Sequence, residues 1–563
     1  MIKEKLTQYI EDTIKENWDI NAFADYGKDR IIKYSDVAKN ILIMHNIFKR
    51  SSIYKGDKIA LCGGNSINWA LTYLSIISYG AVVIPILVDF SPNDISSIIK
   101  DSGTKYLFID KNISDKIDSE TIDSLDMVFS LEDWTIISVN NNIYKEINYG
   151  DNLFNIELEN FSKETFYLNI FDNETLATII YTSGTTGFSK GVMLNHNALA
   201  ANIKFAIANM PIKPNDNILS FLPLAHVFGC LFDFLFPFSK GACIYMLNAI
   251  PSPNVLLKAF DEIKPDLILM VPLIIEKIYL KKLLPVISKP LIKNLLKLPL
   301  ISSILKKSIR EKLTKSFGGK FHELIIGGSA LNEEVEKFLM DIGFKFTVGY
   351  GMTECAPLIS YAPWNKHVAR SCGCIIDTLK VKIDSENEGE VGEIMVKGEN
   401  VMLGYYKNPK ATAEALSKDG WLKTGDLGVL GENNRIFIRG RSKNMILGSS
   451  GQNIYPEEIE SKLNAMPYIL ESLILSKENK LHALLYLDYE RIKEENLNEE
   501  EIKAKLENNR IEIKVRAMKE FKQQIDDGYG PRSEHAIRTL AGFRGSQISK
   551  QYAEAFEIIR EIR

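Results

Sequence analysis

In Thr182-Ser183-Gly184-Thr185-Thr186-Gly187 four hydroxyls alternate with two glycines, and Lys190 follows three residues later. The glycines allow close backbone approach and positive φ. Backbone N–H groups, hydroxyls and the lysine ammonium can then face phosphate oxygens together. The spacing predicts a strand before the loop (Ala177–Tyr181) and a helix after it (His196–Ala208), the strand-loop-helix setting of a phosphate site. A Ser/Gly surface linker is the competing reading, and the flanking apolar strand and helix argue against it. The string is not GxxxxGK[ST], so a P-loop NTPase is not implied.

Five further strings carry chemistry in chain order: Leu222-Pro-Leu-Ala-His226, Gly327-Gly328-Ser329-Ala330, Tyr350-Gly351-Met352-Thr353-Glu354, Gly420-Trp-Leu-Lys-Thr-Gly-Asp426, and Gly440-Arg441-Ser442-Lys443 leading to Gly451–Glu460 (GQNIYPEEIE). Asp426, between Gly425 and the apolar Leu427, is badly placed for a merely solvated surface charge. With the loop, these strings resemble the adenylate-forming (AMP-binding) superfamily of acyl-CoA synthetases, luciferases and peptide-synthetase adenylation domains, over roughly residues 20 to 490.

The resemblance implies that a carboxylate attacks the α-phosphate of ATP, pyrophosphate departs, and a thiol then displaces AMP. Both steps concentrate negative charge that a metal and fixed donors must offset. By resemblance Glu354 helps hold Mg²⁺, and Thr353 and Thr182 meet phosphate oxygens with Lys190. Tyr350 stacks on adenine, Asp426 accepts from the ribose hydroxyls, and Arg441 reaches ribose or phosphate. Ser183, Gly184, Thr185, Thr186, Gly187, Gly328, Ser329, Ala330, Gly351 and Gly451 complete the nucleotide and coenzyme A site, and Lys443 falls at the hinge. His226 is read either as a satisfied core histidine or as a gate beside the reacting carboxylate. It is not assigned as a base, since a carboxylate nucleophile needs none.

Residues 440–460 resemble bacterial long-chain fatty acyl-CoA synthetases, which makes a long-chain fatty acid–CoA ligase the leading expectation. The aromatic run Phe228–Phe238 (FGCLFDFLFPF) is either the acyl pocket or core packing. Between Lys277 and Lys315 eleven Lys and Arg face one acid, Glu311, with Leu, Ile and Pro between them. This stretch reads either as a basic amphipathic element for an anionic membrane surface or as a solvated helical hairpin. An acyl-carrier protein is the alternative acceptor, and an adenylation-impaired nucleotide- and lipid-binding protein the alternative function.

The elements that must position these residues follow an α/β rhythm. Strands are expected at Lys58–Cys62, Val82–Ile86, Tyr106–Ile109, Asn217–Phe221 and Leu267–Val271, and helices at Asn65–Tyr79, Asp94–Asp101 and Pro253–Ile263, a parallel-sheet pattern. After Gly392 short Gly-punctuated strands follow, including Arg435–Ile438. By resemblance the fold is a large domain (1–440) of two stacked α/β subdomains plus a β-barrel-like one, then a small mobile α+β domain from 441 to 506. Residues 507–563 read as a divergent segment of polar helices. The family's C-terminal adenylation lysine has no recognisable motif here; Lys514, Lys519, Lys522 and Lys550 lack its context, and none is assigned.

Composition sets the outer bounds. A chain of 563 residues exceeds one core, and a net charge of −4 gives no global attraction to nucleic acid. The six cysteines have no zinc-site spacing. Trp69–Val88 is uncharged and long enough to span a bilayer, but Gly80 and Pro85 interrupt it, so a buried helix-turn-strand unit is expected. The N-terminus lacks the apolar core of a signal peptide. A cytoplasmic enzyme is expected, with attachment to the inner face of the membrane as the open alternative.

Overall fold

The computed structural model describes residues 1–140, 160–182, 190–287, 289–295, 298–387, 389–447, 453–464, 468–477, 480–487, 492–493, 501 and 558–562. Three large sheets organise them. The first has eight strands in the order Gly404–Tyr405, Lys190–Asn195, Leu176–Thr182, Val82–Ile86, Lys58–Cys62, Tyr106–Ile109, Met127–Ser130 and Ile136–Val139. Its centre is parallel, joined by helical crossovers, and its edges are antiparallel. The strand Val82–Ile86 is apolar throughout and buried at all five positions, as a parallel strand covered on both faces must be.

The second sheet has seven strands in the order Phe346–Val348, Glu323–Ile326, Leu267–Met270, Asn217–Ser220, Cys243–Met246, Asn21–Asp25 and Ile31–Lys33, parallel except for the last pair. The third is antiparallel and runs from Tyr350–Gly351 through Leu358–Tyr361, Cys374–Ile375, Arg435–Arg441, Leu422–Gly431 and Gly392–Gly398 to Leu379–Asp384. One continuous apolar core joins all three. A separate core around Leu463, Ile474 and Leu485 lies beyond residue 441. There the helix Pro456–Asn464 packs with strands Ile469–Lys477 and Lys480–Leu487.

The uncharged stretch 69–88 forms the expected unit. Ser66 caps the helix Ile67–Tyr79 by accepting from the Trp69 N–H, Gly80 ends it, and the strand Val82–Ile86 follows. Among the described residues no helix is long and apolar enough to cross a membrane.

Two expectations are corrected. The phosphate loop is not followed directly by a helix: Lys190–Asn195 is a strand pairing antiparallel with Leu176–Thr182, and the helix His196–Asn209 starts only after it. The apolar run Val192–Leu194 prolongs the hairpin until Asn195, whose side chain accepts from the Ala198 N–H, caps the helix. Thr182 and Lys190 are therefore cross-strand partners, and the helix N-terminus lies at His196. At the other end, Ile558–Ile562 is a strand paired with Lys480–Leu487, not the end of a polar helix, in keeping with its isoleucine content. The basic stretch is helical but broken into the pieces Pro272–Ile278, Tyr279–Leu283, Leu284–Ile287, Pro290–Leu295 and Pro299–Ser316. Pro272, Pro290 and Pro299 each open a helix, where their missing N–H costs least.

Candidate active site

A cavity of about 550 Å³ lies where the three sheets meet. Thr182 and Lys190 enter it from the hairpin of the first sheet. Gly327, Gly328 and Gly349 enter from the carboxyl ends of parallel strands of the second, where ligands of open α/β sheets bind. Tyr350, Gly351, Met352, Thr353, Glu354 and Arg441 come from the third sheet and its turns.

Pairing explains how distant residues converge. Asp426 and Arg441 are cross-strand partners on Leu422–Gly431 and Arg435–Arg441. Arg441 Nε donates to Asp426 Oδ1 at 3.0 Å, and the Tyr350 hydroxyl donates to Asp426 Oδ2 at 2.6 Å. Burial raises the pKa of Asp426, and the Arg441 charge opposes that shift. Burial, then the Asp426 charge, push the Tyr350 phenol well above its usual range, so it stays a donor. Asp426 is not on the cavity wall. It is buried and fixes two residues that are.

A second cluster forms opposite. The Tyr405 hydroxyl donates to Glu354 Oε1 at 2.8 Å, and the Lys190 ammonium lies 5.0 Å from the centre of the Tyr405 ring. The short strand Gly404–Tyr405 pairs with Val192 and Met193, which holds Tyr405 beside the hairpin. Among the described residues Glu354 Oε2 has no partner, which leaves it for a cation or a donor. Two glycines are obligatory at the wall. A Cβ on Gly351 would fall 2.2 Å from the Pro357 carbonyl oxygen, and Gly328 has φ +94°, in the left-handed region.

His226 is exposed on the cavity wall. Its Nδ1 accepts from the Phe228 N–H at 3.2 Å, which assigns the proton to Nε2. Desolvation by the surrounding chain lowers its pKa, which favours the neutral ring. The aromatic run divides between its two readings. Phe228 and Phe232 line the cavity, whereas Phe234, Phe236 and Phe238 are core, with Phe238 stacked on Phe23 at 5.5 Å. Met210, Leu269, Ile325 and Leu358 extend the apolar lining.

Of the residues expected from sequence, Thr182, Lys190, His226, Gly328, Tyr350, Gly351, Thr353, Glu354, Arg441 and Lys443 line this cavity. Ser329 and Ala330 do not; they are exposed on the turn beyond Gly328. Ser183, Gly184, Thr185, Thr186, Gly187 and Gly451, and the lysines at 514, 519, 522 and 550, lie outside the described residues. Sequence reasoning missed Tyr405, Glu393 and the apolar lining outside the aromatic run. The Gly404-Tyr405-Tyr406 string was the one signal for Tyr405.

The family model for "AMP-binding enzyme" matches residues 10–406. The long-chain-fatty-acid–CoA ligase ACSBG2 of Rattus norvegicus is 27% identical over 462 residues, covering 76% of this chain and 68% of that protein. The 4-coumarate–CoA ligase 4 of Arabidopsis thaliana is 26% identical over 476 residues, covering 81% and 76%. The crystal structure of ATP-bound MatB from Rhodopseudomonas palustris superposes with a TM-score of 0.70 at 22% identity, covering 90% of this chain and 92% of that one. At that identity the superposition speaks for the fold.

Proposed function

The chain belongs to the AMP-binding enzyme family, and from that premise we propose that it joins a long-chain fatty acid to coenzyme A through an acyl-adenylate. The observation that carries this reading is the pairing, around one cavity, of two polar clusters (Lys190–Tyr405–Glu354, and Tyr350 and Arg441 held by the buried Asp426) with the apolar wall of Met210, Phe228, Phe232, Leu269, Ile325 and Leu358. Similarity to both fatty-acid and 4-coumarate ligases supports an acid–CoA ligase. The aliphatic lining supports the fatty acid.

In the first step a carboxylate oxygen attacks the α-phosphorus, the bond to pyrophosphate breaks, and acyl-AMP forms. In the second a thiol sulfur attacks the acyl carbon and AMP leaves with the former carboxylate oxygen. The Tyr350 ring offers adenine a flat face, locked in place by its bond to Asp426. Arg441, aligned by the same carboxylate, supplies positive charge to ribose or phosphate, Lys190 does so from the hairpin, and the Thr182 hydroxyl beside it offers a hydrogen bond. Neutral His226 offers its Nε2–H to the reacting carboxylate as a donor and fixes its direction without removing a proton. Mg²⁺ suits the site, because among the described residues Glu354 keeps one carboxylate oxygen free beside the Thr353 turn and this ion takes one or two carboxylates plus phosphate oxygens. When bound, it offsets charge on the phosphates. Residues 441–506 form the small domain, hinged at Lys443, and no adenylation lysine is assigned.

The test is acyl-CoA and AMP formation with ATP, Mg²⁺ and coenzyme A across oleate, 4-coumarate, acetate and malonate. Oleate should give the highest kcat/KM. A higher value for an aromatic or short acid would replace the substrate assignment, and turnover that requires added acyl-carrier protein would replace the acceptor.

A further inference from the structure

We infer that the helices between residues 282 and 315 form a docking surface for anionic lipid bilayers. Among the described residues nineteen large hydrophobic side chains are exposed, and five of them fall within residues 286–304: Val286 (48%), Leu291 (72%), Leu298 (50%), Ile301 (41%) and Ile304 (72%). Such clustering is unlike the scattered apolar residues of an ordinary surface.

The charge around them is one-sided. Residues 277–315 hold eleven Lys and Arg against one Glu, in a chain whose net charge is −4. Lys306 is paired with Asp341 at 2.6 Å, and Lys307 with Glu311 at 4.0 Å. Lys282, Lys289, Lys312 and Lys315 are exposed and, among the described residues, have no carboxylate within 4 Å. Exposed leucine and isoleucine flanked by ammonium groups without a carboxylate partner fit one partner best. A bilayer takes the apolar side chains to the depth of the acyl boundary and meets the lysines with lipid phosphates. An acidic protein would satisfy the lysines and leave Leu291 and Ile304 in water.

The surface also connects to the site. It continues directly from the strand Leu267–Met270, whose Leu269 lines the cavity, through the helix Pro272–Ile278. Its purpose, collecting an acid that partitions into membranes, rests on the long-chain reading. Its binding to lipid does not.

The experiment is sedimentation of the full chain with phosphatidylcholine vesicles, with and without phosphatidylglycerol, at low and high salt. Wild type should bind the anionic vesicles and release at high salt. A Lys282→Glu/Lys289→Glu/Lys312→Glu/Lys315→Glu variant should bind several hundred-fold more weakly, at about fivefold for each lysine near an anionic surface. A Leu291→Ser/Ile304→Ser variant should lose binding at unchanged charge. Circular dichroism melts and thioester formation on a water-soluble short acid control for folding. Absence of wild-type binding overturns the surface, as does equal binding by the variants or a concentration-dependent dimer abolished by the same substitutions. Failure of long-chain acids to react would refute the substrate reading and leave lipid binding standing.

Discussion

Asp426→Asn isolates the buried group on which the nucleotide wall depends. The carboxylate accepts from Tyr350 at 2.6 Å and from Arg441 at 3.0 Å. The tyrosine bond is buried and charge-assisted, worth about 1.5–3 kcal/mol. The Arg441 side chain is 63% exposed, so solvent screening limits its ion pair to at most about 1 kcal/mol. Asparagine keeps one acceptor and turns an N–H₂ toward the other donor, so roughly 2–3 kcal/mol of wall organisation is lost, about 30- to 150-fold in rate. The assay is pyrophosphate release at varied ATP, with a thermal melt to verify folding. The loss should appear in kcat/KM for ATP. Tyr350→Phe should cost less, and the double variant should cost clearly less than the sum, because both changes break one bond. A change below about threefold in Asp426→Asn, or strict additivity with Tyr350→Phe, would refute the idea that this carboxylate organises the site.

Glu354→Gln should lower Mg²⁺-dependent pyrophosphate release by about 10²-fold or more and raise the Mg²⁺ needed for half-maximal rate. Acyl transfer from supplied acyl-AMP to coenzyme A should fall much less, measured by thioester absorbance. Leu269→Phe should shift preference toward shorter acids by about fourfold per methylene excluded, from about 0.8 kcal/mol for each buried CH₂; rates across a chain-length series read this out. Asp233 is buried, and only its Oδ2 is bonded, by the Phe221 and Leu222 N–H groups that lead into Leu222–His226. Burial raises its pKa to about 8. Its folded pKa stands above the unfolded value of about 3.9, so its stabilising contribution is complete below that value and is lost as pH rises through about 8, at up to about 1.4 kcal/mol per pH unit. Asp233→Asn should therefore raise the melting temperature at pH 8–9 and flatten its decline; an unchanged slope would contradict this.

Local pattern carried far into this fold. The strands Lys58–Cys62, Val82–Ile86 and Tyr106–Ile109 and the helix Pro253–Ile263 follow from apolar runs and punctuation, because a parallel sheet buries both faces. The hairpin after the phosphate loop was harder to see. The residues Lys190 to Asn195 are too short a run to separate strand from helix, and sheet pairing decides it. The site itself was legible as motifs but not as contacts. Tyr350 and Asp426 are 76 positions apart, and only the antiparallel third sheet brings Arg441 to the same carboxylate. The role of Tyr405 was hidden for the same reason, since it comes from pairing with Val192. The aromatic run could not be divided from sequence, because wall and core both select phenylalanine there.

The most direct test of the adenylate route uses oleate labelled with ¹⁸O in both carboxylate oxygens, with ATP, Mg²⁺ and coenzyme A, and mass spectrometry of the nucleotide products. One label should appear in the phosphate of AMP for each acyl-CoA formed, with none in pyrophosphate. Label in ADP or inorganic phosphate, or unlabelled AMP beside acyl-CoA, would contradict attack on the α-phosphorus and with it the proposed function.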